Sequence, residues 1–502
     1  AHCKNVVVLL ATSAPMELMP IMSGELEVDA ILQVGHVGEK GFASLGRLLS
    51  GEVNPSGRTV DIWPTDFTKD PTYQNFGAFT YSNAVFTSHA YGNPSSDLGN
   101  GTFSRYFIEY SEDMYMGYRY YETAAVEDLS FVYGELDGKG GVATAGSVAY
   151  PFGYGLSYTT FEQTIQSYDD SGDDILLTVT VKNTGSAAGK EVVQVYFSSP
   201  YTQLDKDMKI EKPVTQLADF AKTGVLQPGE SQDVSFSIPK EDMASFCYTR
   251  DNGDGTTGAY LLEEGDYRIM VCSDSHNVID SRIWTNGEAI WYDSSNPRQS
   301  EIDAQSALDE QGQPTGVPAK GEGAGYQAAV NLFQASSDYM NEESTILSRS
   351  NWTGTFPVRP ANDQKAASEK TVASFGIEES FDVENDPLLG NVPGSAVYAE
   401  QNPQLREGTL RLSDMRGLDY HDPLWKDYLD QIDYRNADVR GQIVSLMTGS
   451  NYATAAVEAL GLVPTTEADG ANGIKAVKSD KGMEMSATYG YAPLMASTWN
   501  KE

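Results

Sequence analysis

The chain has 502 residues, of which 40% are hydrophobic and 21% charged, and its formal net charge is −37 at pH 7. This composition is typical of a soluble globular protein, and the length is enough for roughly three to four domains. No stretch approaches the ~18 consecutive apolar residues of a membrane-spanning helix, so no membrane span is predicted. The negative charge argues against nucleic acid and anionic membranes as partners, since both repel an acidic surface.

Three cysteines, Cys3, Cys247 and Cys272, form neither a CxxC pair nor a disulfide framework. Cys247 and Cys272 can pair if two strands bring them together, but free buried thiols are the favoured interpretation. So few cysteines slightly favour the cytoplasm over secretion.

The chain starts without Met and reaches a strand-forming run, NVVVLL at residues 5–10, almost at once. We therefore expect that residue 1 is not the start of translation.

Strand and helix signals alternate in residues 1–70. β-Branched apolar runs at residues 5–10 and 30–34 predict buried strands, and residues 39–50 predict a helix. The apolar side chains of this helix share one face: Phe42, Leu45, Leu48 and Leu49. Gly51 suits the left-handed end of a helix, and NPSGR at residues 54–58 is a turn in which Gly57 permits a positive φ. This alternation predicts an α/β domain with a parallel sheet.

The rest of the chain divides where its periodicity changes. Residues 71–162 show no clean period and are predicted as a loop-rich extension that wraps the α/β domain. Residues 163–290 alternate apolar and polar positions between turn signals, which predicts a β-sandwich of immunoglobulin or fibronectin type III kind. The alternating apolar positions are Ile175, Leu177, Val179, Val181, Val193, Val195, Phe197, Val234, Phe236, Ile238, Tyr267, Ile269 and Val271. Residues 291–440 are predicted as a linker and connector, polar and rich in Pro and Gly over residues 295–325.

The last residues carry a helix prediction at 438–449 and a short strand that runs into a loop, TTEADGANGIK, at residues 465–475. A barrel strand delivers functional residues at its C-terminal end in this way.

DNGDG at residues 251–255 lacks the ligand spacing of a calcium loop and is predicted as a hairpin turn. The five histidines form no HxxxH pair, so no zinc site is predicted.

Several stretches resemble family 3 glycoside hydrolases. DAILQVGHVGEKGFASLGRLLSGEVNPSGRTVDIWP at residues 29–64 is similar to the C-terminal α/β-sandwich domain of that family. GYRYYET at residues 117–123 and YPFGYGLSYTTFE at residues 150–162 also resemble it. The region with period two resembles the fibronectin type III-like domain that follows in the family.

The end of the chain resembles a different domain of the same family. TTEADGANGIK, followed by YAPLMASTWNKE at residues 491–502, is similar to the beginning of its (β/α)8 barrel. The barrel comes last here, as in a bacterial β-glucosidase subgroup with reversed domain order. YMNEESTILSRSNWTGTFP at residues 339–357 resembles the connector of that subgroup. The resemblance implies an α/β plus all-β fold class: a partial α/β sandwich, a fibronectin type III-like β-sandwich, and the start of a (β/α)8 barrel in residues 441–502.

The resemblance implies retaining hydrolysis of terminal non-reducing β-D-glucosyl residues from oligosaccharides or glucosides. A β-xylosidase or another β-glycosidase is the alternative within the family, and a non-catalytic carbohydrate-binding or scaffold chain is the alternative of another class. By this alignment the nucleophilic Asp and the acid/base Glu both fall outside the chain, so no catalytic residue is assigned. Glu17, Glu25 and Glu39 lie near strand ends of the α/β domain and are predicted as solvated surface.

The resemblance singles out Asp469 and Lys475 as substrate-binding residues. The matching Asp of the family hydrogen-bonds sugar hydroxyls, and charge-assisted bonds of this kind are strong. From the residues alone, Asp469 also suits an Asx turn. Lys475 stands where the family usually has Arg, so it keeps the charge but loses the planar fork. Four tyrosines, Tyr115, Tyr118, Tyr120 and Tyr121, could stack on sugar rings, but packing between domains is favoured.

No metal or organic cofactor is implied. The implied partners are a β-linked oligosaccharide or glucoside and a second chain that carries the rest of the barrel, and homo-oligomerisation stays open.

Overall fold

The computed structural model describes residues 4–38, 40–87, 102–309, 311–318, 326–333, 344–374, 410–431, 453–454, 456–457, 460–466, 477–479, 482–484 and 490–501. The chain forms two compact units, residues 1–371 with 490–502 and residues 372–489. The described α-helices are α1 (Met19–Met22), α2 (Leu45–Leu49), α3 (Pro71–Asn75), α4 (Tyr118–Glu127), α5 (Gln203–Met208), α6 (Gln299–Gln305), α7 (Glu369–Ser374), α8 (Leu424–Asp430) and α9 (Ala492–Ala496).

The described strands up to the end of the β-sandwich are β1 (Val7–Leu10), β2 (Ala30–Gln33), β3 (Trp63–Pro64), β4 (Thr80–Thr87), β5 (Thr102–Tyr106), β6 (Glu135–Leu136), β7 (Val142–Thr144), β8 (Val148–Tyr150), β9 (Phe161–Asp169), β10 (Asp174–Asn183), β11 (Val192–Ser198), β12 (Gln216–Lys222), β13 (Ser231–Pro239), β14 (Ser245–Asp251), β15 (Thr257–Leu262), β16 (Gly265–Cys272), β17 (Val278–Asn286) and β18 (Ile290–Tyr292). Those beyond it are β19 (Ser306–Leu308), β20 (Pro314–Pro318), β21 (Gln364–Lys365), β22 (Ala453–Thr454), β23 (Thr465–Thr466), β24 (Val477–Ser479) and β25 (Gly482–Glu484).

The first unit begins with the predicted parallel sheet. β1 and β2 pair in parallel, with Val7 opposite Ala30 and Leu10 opposite Gln33. Leu10 packs in a small core with Leu18, Met22, Trp63 and Ala149. Both strands form where predicted, but the prediction that they are buried is wrong: Val7 and Leu9 are 44% and 40% exposed, and of β1 only Leu10 lies in the core.

The helix predicted over residues 39–50 is shorter than expected. A 3-10 turn at Gly41–Ser44 leads into α2, and Glu39 lies outside the described residues. Glycine costs about 1 kcal/mol in a helix, and a Cβ on Gly41 would lie 2.3 Å from Cβ of Val37, so this glycine permits a close approach instead. Gly51 has the expected positive φ of 77°. The expectation for Gly57 is wrong, because its φ is not positive; its backbone lies against the carbonyl of Ser497.

The extension after residue 70 contains a helix that the sequence did not predict. α4 begins after Gly117, whose φ is +56°, and it buries Tyr120, Tyr121 and Ala124 together with Glu122. A buried carboxylate within the inner face breaks the apolar pattern on which helix prediction relies. The tyrosines of this region pack between elements, as favoured: Tyr115 and Tyr121 are almost fully buried.

The predicted β-sandwich is confirmed. A three-stranded sheet, β13–β10–β9, faces a four-stranded sheet, β12–β11–β16–β17. Its core contains every predicted apolar position: Ile175, Leu177, Val179, Val181, Val193, Val195, Phe197, Val234, Phe236, Ile238, Tyr267, Ile269 and Val271. β11 is buried on both faces, because Tyr196 on its outer face packs against Tyr118 of α4. The extension therefore covers the outer face of the four-stranded sheet at β11 and β16.

Two further sequence expectations concern the sandwich region. Cys247 and Cys272 are both buried and free, as favoured. DNGDG forms the predicted hairpin turn between β14 and β15, where Gly253 and Gly255 have positive φ. The stretch predicted as a linker has more structure than expected, because it contains α6 and the β19–β20 hairpin.

In the second unit a small core of Met415, Tyr428, Val457 and Leu460 surrounds α8. A strand is predicted at the start of TTEADGANGIK. The structure has β23 there, and it pairs antiparallel with β22. The helix predicted at residues 438–449 lies outside the described residues. The beginning of a barrel therefore stays a prediction. Among the helices that the structure describes, none has the length and apolarity needed to cross a membrane.

Candidate functional site

A cavity of about 740 Å³ lies beside the β1–β2 sheet of the first unit. Its walls come from both strands, from α1, from the NPSGR turn and from the α9 segment. Most of the wall is hydrocarbon, including Leu10, Leu18 and Trp63. A concave, mostly apolar cavity with a few polar groups is the default candidate for a binding site.

Three polar side chains of the cavity, those of Glu27, Asp29 and Gln33, differ in whether they already have a hydrogen-bond partner in the protein. The carboxylate of Asp29 accepts a hydrogen bond from the amide of Val6 at 2.6 Å. Within the described part of the chain, the side chains of Glu27 and Gln33 have no hydrogen-bond partner and line the cavity. Two carboxylates from one short segment are present, but one of them is engaged by the backbone. The described wall is therefore better suited to burying apolar groups than to acid–base chemistry.

The NPSGR turn attaches the α/β part to the β-sandwich. Asn54 donates from its amide nitrogen to the carbonyl of Ala188 at 3.1 Å, and its oxygen accepts from Ser157 and from the amide of Tyr158. The guanidinium of Arg58 forms a buried ion pair with Glu191 at 2.7 Å. Neither side chain is free to bind a ligand, so the most distinctive motif of the first 70 residues is structural.

The segment that carries α9 contacts the same turn. The carbonyl of Ser497 accepts from the amide of Arg58 at 2.9 Å, and Trp499 packs between Phe152 and Phe220. The ammonium of Lys222 donates to the carbonyls of Thr498 and Ser56. Burial, together with the charges of Arg58 and Lys190, lowers the pKa of Lys222 to about 8.

A second polar cluster joins α4 to the β-sandwich. Glu122, only 5% exposed, accepts from the hydroxyl groups of Tyr133 and Ser275 at 2.7 and 2.9 Å. Nδ1 of His276 lies 2.8 Å from the same carboxylate, and its ring stacks on Tyr133. Burial alone would lower the pKa of His276, but the hydrogen bond and the charge of Glu122, aided by Asp274 and Glu135, raise it.

The predicted substrate-binding residues, Asp469 and Lys475, lie outside the described residues, so their positions stay predictions. Of the three surface glutamates, Glu17 accepts from the amide of Phe67 at 2.8 Å, and Glu25 lies in the first turn of a 3-10 helix. Both are consistent with the predicted surface role. Among the described residues, no group of three His, Cys, Asp or Glu side chains could hold a metal ion.

Sequence reasoning missed the cluster around Glu122. Glu122 lies in GYRYYET, which is used only for the family resemblance, and its partners Ser275 and His276 are far away in sequence. For Glu122, the partner His276 is 154 residues away. The available signal was a carboxylate inside a stretch dense in tyrosine, GYRYYET, since a buried charge requires hydrogen-bond donors.

Comparison with known families matches two regions of the chain. Residues 1–158 match the Glycosyl hydrolase family 3 C-terminal domain, and residues 191–275 match a Fibronectin type III-like domain. The first region coincides with the α/β part plus its extension, and the second contains β11 to β16 of the β-sandwich region.

Among curated proteins, the chain is 32% identical over 272 residues to Beta-glucosidase A of Butyrivibrio fibrisolvens, covering 51% of this chain and 26% of that protein. It is 33% identical over 264 residues to a Beta-glucosidase of Ruminococcus albus, covering 52% of this chain and 22% of that protein. The chain thus spans only about a quarter of the length of these relatives.

Among solved structures, beta-glucosidase 3B from Thermotoga neapolitana in complex with alpha-D-glucose is 31% identical, with a TM-score of 0.41. That match covers 58% of this chain and 32% of the other. The sequence matches alone carry the assignment. By sequence, residues 1–158 are similar to the C-terminal domain of glycosyl hydrolase family 3, and residues 191–275 are similar to a fibronectin type III-like domain.

Proposed function

We propose that the chain is part of a β-glucosidase that hydrolyses terminal non-reducing β-D-glucosyl residues from oligosaccharides or glucosides. The observation that carries this proposal is the match over 264 to 281 residues to proteins named as beta-glucosidases, at 31–33% identity for three of them. The two family-model matches, in residues 1–158 and 191–275, follow each other along the same chain.

The reaction class follows from the chemistry of retaining glycosidases. Such enzymes need a nucleophilic carboxylate and an acid/base carboxyl group about 5–5.5 Å apart. The described cavity does not supply such a pair, because Asp29 is engaged by the amide of Val6. Following the family resemblance, we propose that parts of the enzyme outside these 502 residues contribute both catalytic carboxyl groups, with a second polypeptide as one source.

Substrate recognition within this chain is proposed for Asp469 and Lys475. An ionised carboxylate can accept two hydrogen bonds from adjacent sugar hydroxyls, and such bonds are roughly twice as strong as neutral ones. Lys475 adds a positive charge without the planar geometry of arginine. Both residues follow β23 in the sequence, and we propose that a barrel begins here and that the domain order is reversed.

The proposal is tested by assaying p-nitrophenyl β-D-glucoside with this chain alone and with a chain that carries the rest of the barrel. We expect hydrolysis only in the mixture. In the active mixture, Asp469→Asn should lower kcat/KM at least 100-fold, whereas the matched variant Glu467→Gln should lower it less than threefold.

Two other outcomes would point elsewhere. A preference for p-nitrophenyl β-D-xyloside would identify a β-xylosidase. Sugar binding with no hydrolysis of either substrate, alone or in the mixture, would overturn the enzyme proposal in favour of a carbohydrate-binding or scaffold chain.

A further inference from the structure

The connector segment, residues 347–356, lies in a groove of the first unit. One wall of this groove is α4 with the residues before it, and the other is the loop between α5 and β12. Leu347 is fully buried and Trp352 is 6% exposed, although the segment has only one short 3-10 turn, at Arg349–Asn351. An irregular segment buried to this extent must be held by side-chain contacts rather than by a hydrogen-bonded ladder.

Two apolar anchors fix the segment to the α4 wall. The ring of Trp352 packs edge-on against Tyr115 at 4.9 Å and parallel to Tyr120 at 5.6 Å. Leu347 belongs to the same core cluster, and its amide donates to the carbonyl of Ser111 at 2.7 Å. A buried Trp in an aromatic pocket is typical of the residues that dominate the energy of peptide recognition.

On the opposite wall, the carboxylate of Glu211 binds both the connector segment and Tyr115, which precedes α4. Glu211 accepts from the hydroxyl of Ser348 at 2.5 Å and from the amide of Arg349 at 3.1 Å. It also accepts from the hydroxyl of Tyr115 at 2.5 Å. Burial, with the charge and hydrogen bond of Glu211, raises the pKa of Tyr115, so this hydroxyl stays a donor.

The side chain of Arg349 spans the groove. Its Nε and Nη2 donate to Glu127 of α4 at 2.8 and 2.6 Å, and its Nη1 donates to the carbonyl of Lys212 at 3.0 Å. The guanidinium also lies over the ring of Tyr201 at 4.3 Å. Only a planar group with several donors can satisfy all of these partners at once, so lysine would not replace it.

The walls of the groove have supports that do not involve the segment. Lys212, next to Glu211, is buried in an ion pair with Asp205 at 2.6 Å and bonds Glu263 as well. α4 is fixed from behind by the contacts of Glu122 with Ser275 and His276. A groove held by such contacts is pre-organised, which reduces the entropy lost when a peptide binds.

We propose that this groove is a recognition site for an extended peptide that carries Leu-Ser-Arg followed three residues later by Trp, and that the connector segment is its resident ligand. The site tethers the chain after residue 356 to the domains before it through side-chain contacts as well as through the backbone. A chain cut between β20 and the connector segment therefore stays assembled. This inference does not depend on the proposed glycosidase activity.

The test replaces residues 320–324 with a protease site and cleaves the folded chain. We expect the two fragments to elute together at low micromolar concentration. Glu211→Ala should raise their dissociation constant at least tenfold, because it leaves three donors without an acceptor. The matched control is Glu17→Ala, a glutamate that also accepts a backbone amide but lies outside the groove.

Two further variants keep the test decisive if Glu211→Ala does not fold. Arg349→Lys, on the ligand side, should also raise the dissociation constant at least tenfold. A synthetic peptide of residues 344–357 should compete for the groove and raise the dissociation constant of the two fragments at least tenfold, whereas the same peptide with Arg349→Ala and Trp352→Ala should not. Fragments that separate without any mutation, or that respond equally to Glu211→Ala and Glu17→Ala, would overturn the proposal.

Discussion

His276 illustrates how a single side chain can join two parts of the first unit. It lies in the turn between β16 and β17, and it reaches Glu122 of α4 in the extension. The charged groups that face it, Glu122, Asp274 and Glu135, are all acidic. Because these charges favour the protonated imidazole, the pKa of His276 is raised in the folded protein.

This raised pKa predicts a pH-dependent contribution to stability. The contribution is fully present below the unfolded pKa of about 6.5 and is lost as the pH rises through the higher folded pKa. The His276 side chain is about one third exposed, so solvent screening limits the effect to about 1 kcal/mol. Thermal unfolding at pH 5.5 and 8.5 should show a larger loss of Tm at high pH for the natural chain than for His276→Gln. Equal losses in the two proteins would contradict the assignment.

At the scale of secondary-structure elements, the sequence predicted the β-sandwich far better than the first 160 residues. The alternation along β10 reports burial on one face, because the other face is exposed to solvent, and every predicted position is in the core. α4 gives no such signal, since its inner face buries Glu122 beside tyrosines. A pattern of apolar residues predicts an element only where burial and hydrophobicity coincide.

A buried ion-pair cluster connects three elements of the sandwich region. Lys212, 1% exposed, precedes β12 and is bonded to Asp205 of α5 and to Glu263 after β15. Burial raises the pKa of Asp205, and the ammonium of Lys212 opposes that rise. Removing the lysine would leave two buried carboxylates without a cation.

We therefore expect Lys212→Met to lower the free energy of unfolding by about 3–5 kcal/mol, because an unpaired buried charge is strongly destabilising. Lys182→Met, at an exposed position of β10, is the matched control and should change it by less than about 0.5 kcal/mol. Urea denaturation followed by tryptophan fluorescence measures both. If the two variants were equally stable, the cluster would contribute little beyond packing.

At the scale of the whole molecule, the candidate site was less predictable than the fold. NPSGR is visible in the sequence, but its role depends on Ala188 and Glu191, more than 130 positions away. No local pattern reports such partners, because they meet only after the α/β part and the sandwich have folded. The connector motif is a similar case, since its importance rests on Glu211 and Glu127 rather than on its own spacing.

The net charge of −37 gives the last prediction. A chain with so many like charges repels itself most strongly in the compact state, and salt screens that repulsion. The screening length falls from about 30 Å at 0.01 M to about 8 Å at 0.15 M ionic strength. We expect Tm to rise by several degrees between about 0.01 and 0.3 M KCl at pH 7, since 1 kcal/mol shifts Tm by about 2–4 °C in domains of 150–250 residues. The rise should shrink at pH 5, where some carboxylates are protonated. Salt screens buried pairs such as Arg58–Glu191 much less than exposed ones, so these pairs should contribute little to the change. A fall in Tm with salt would contradict the prediction, because it would mean that attraction within exposed ion pairs outweighs the repulsion between like charges.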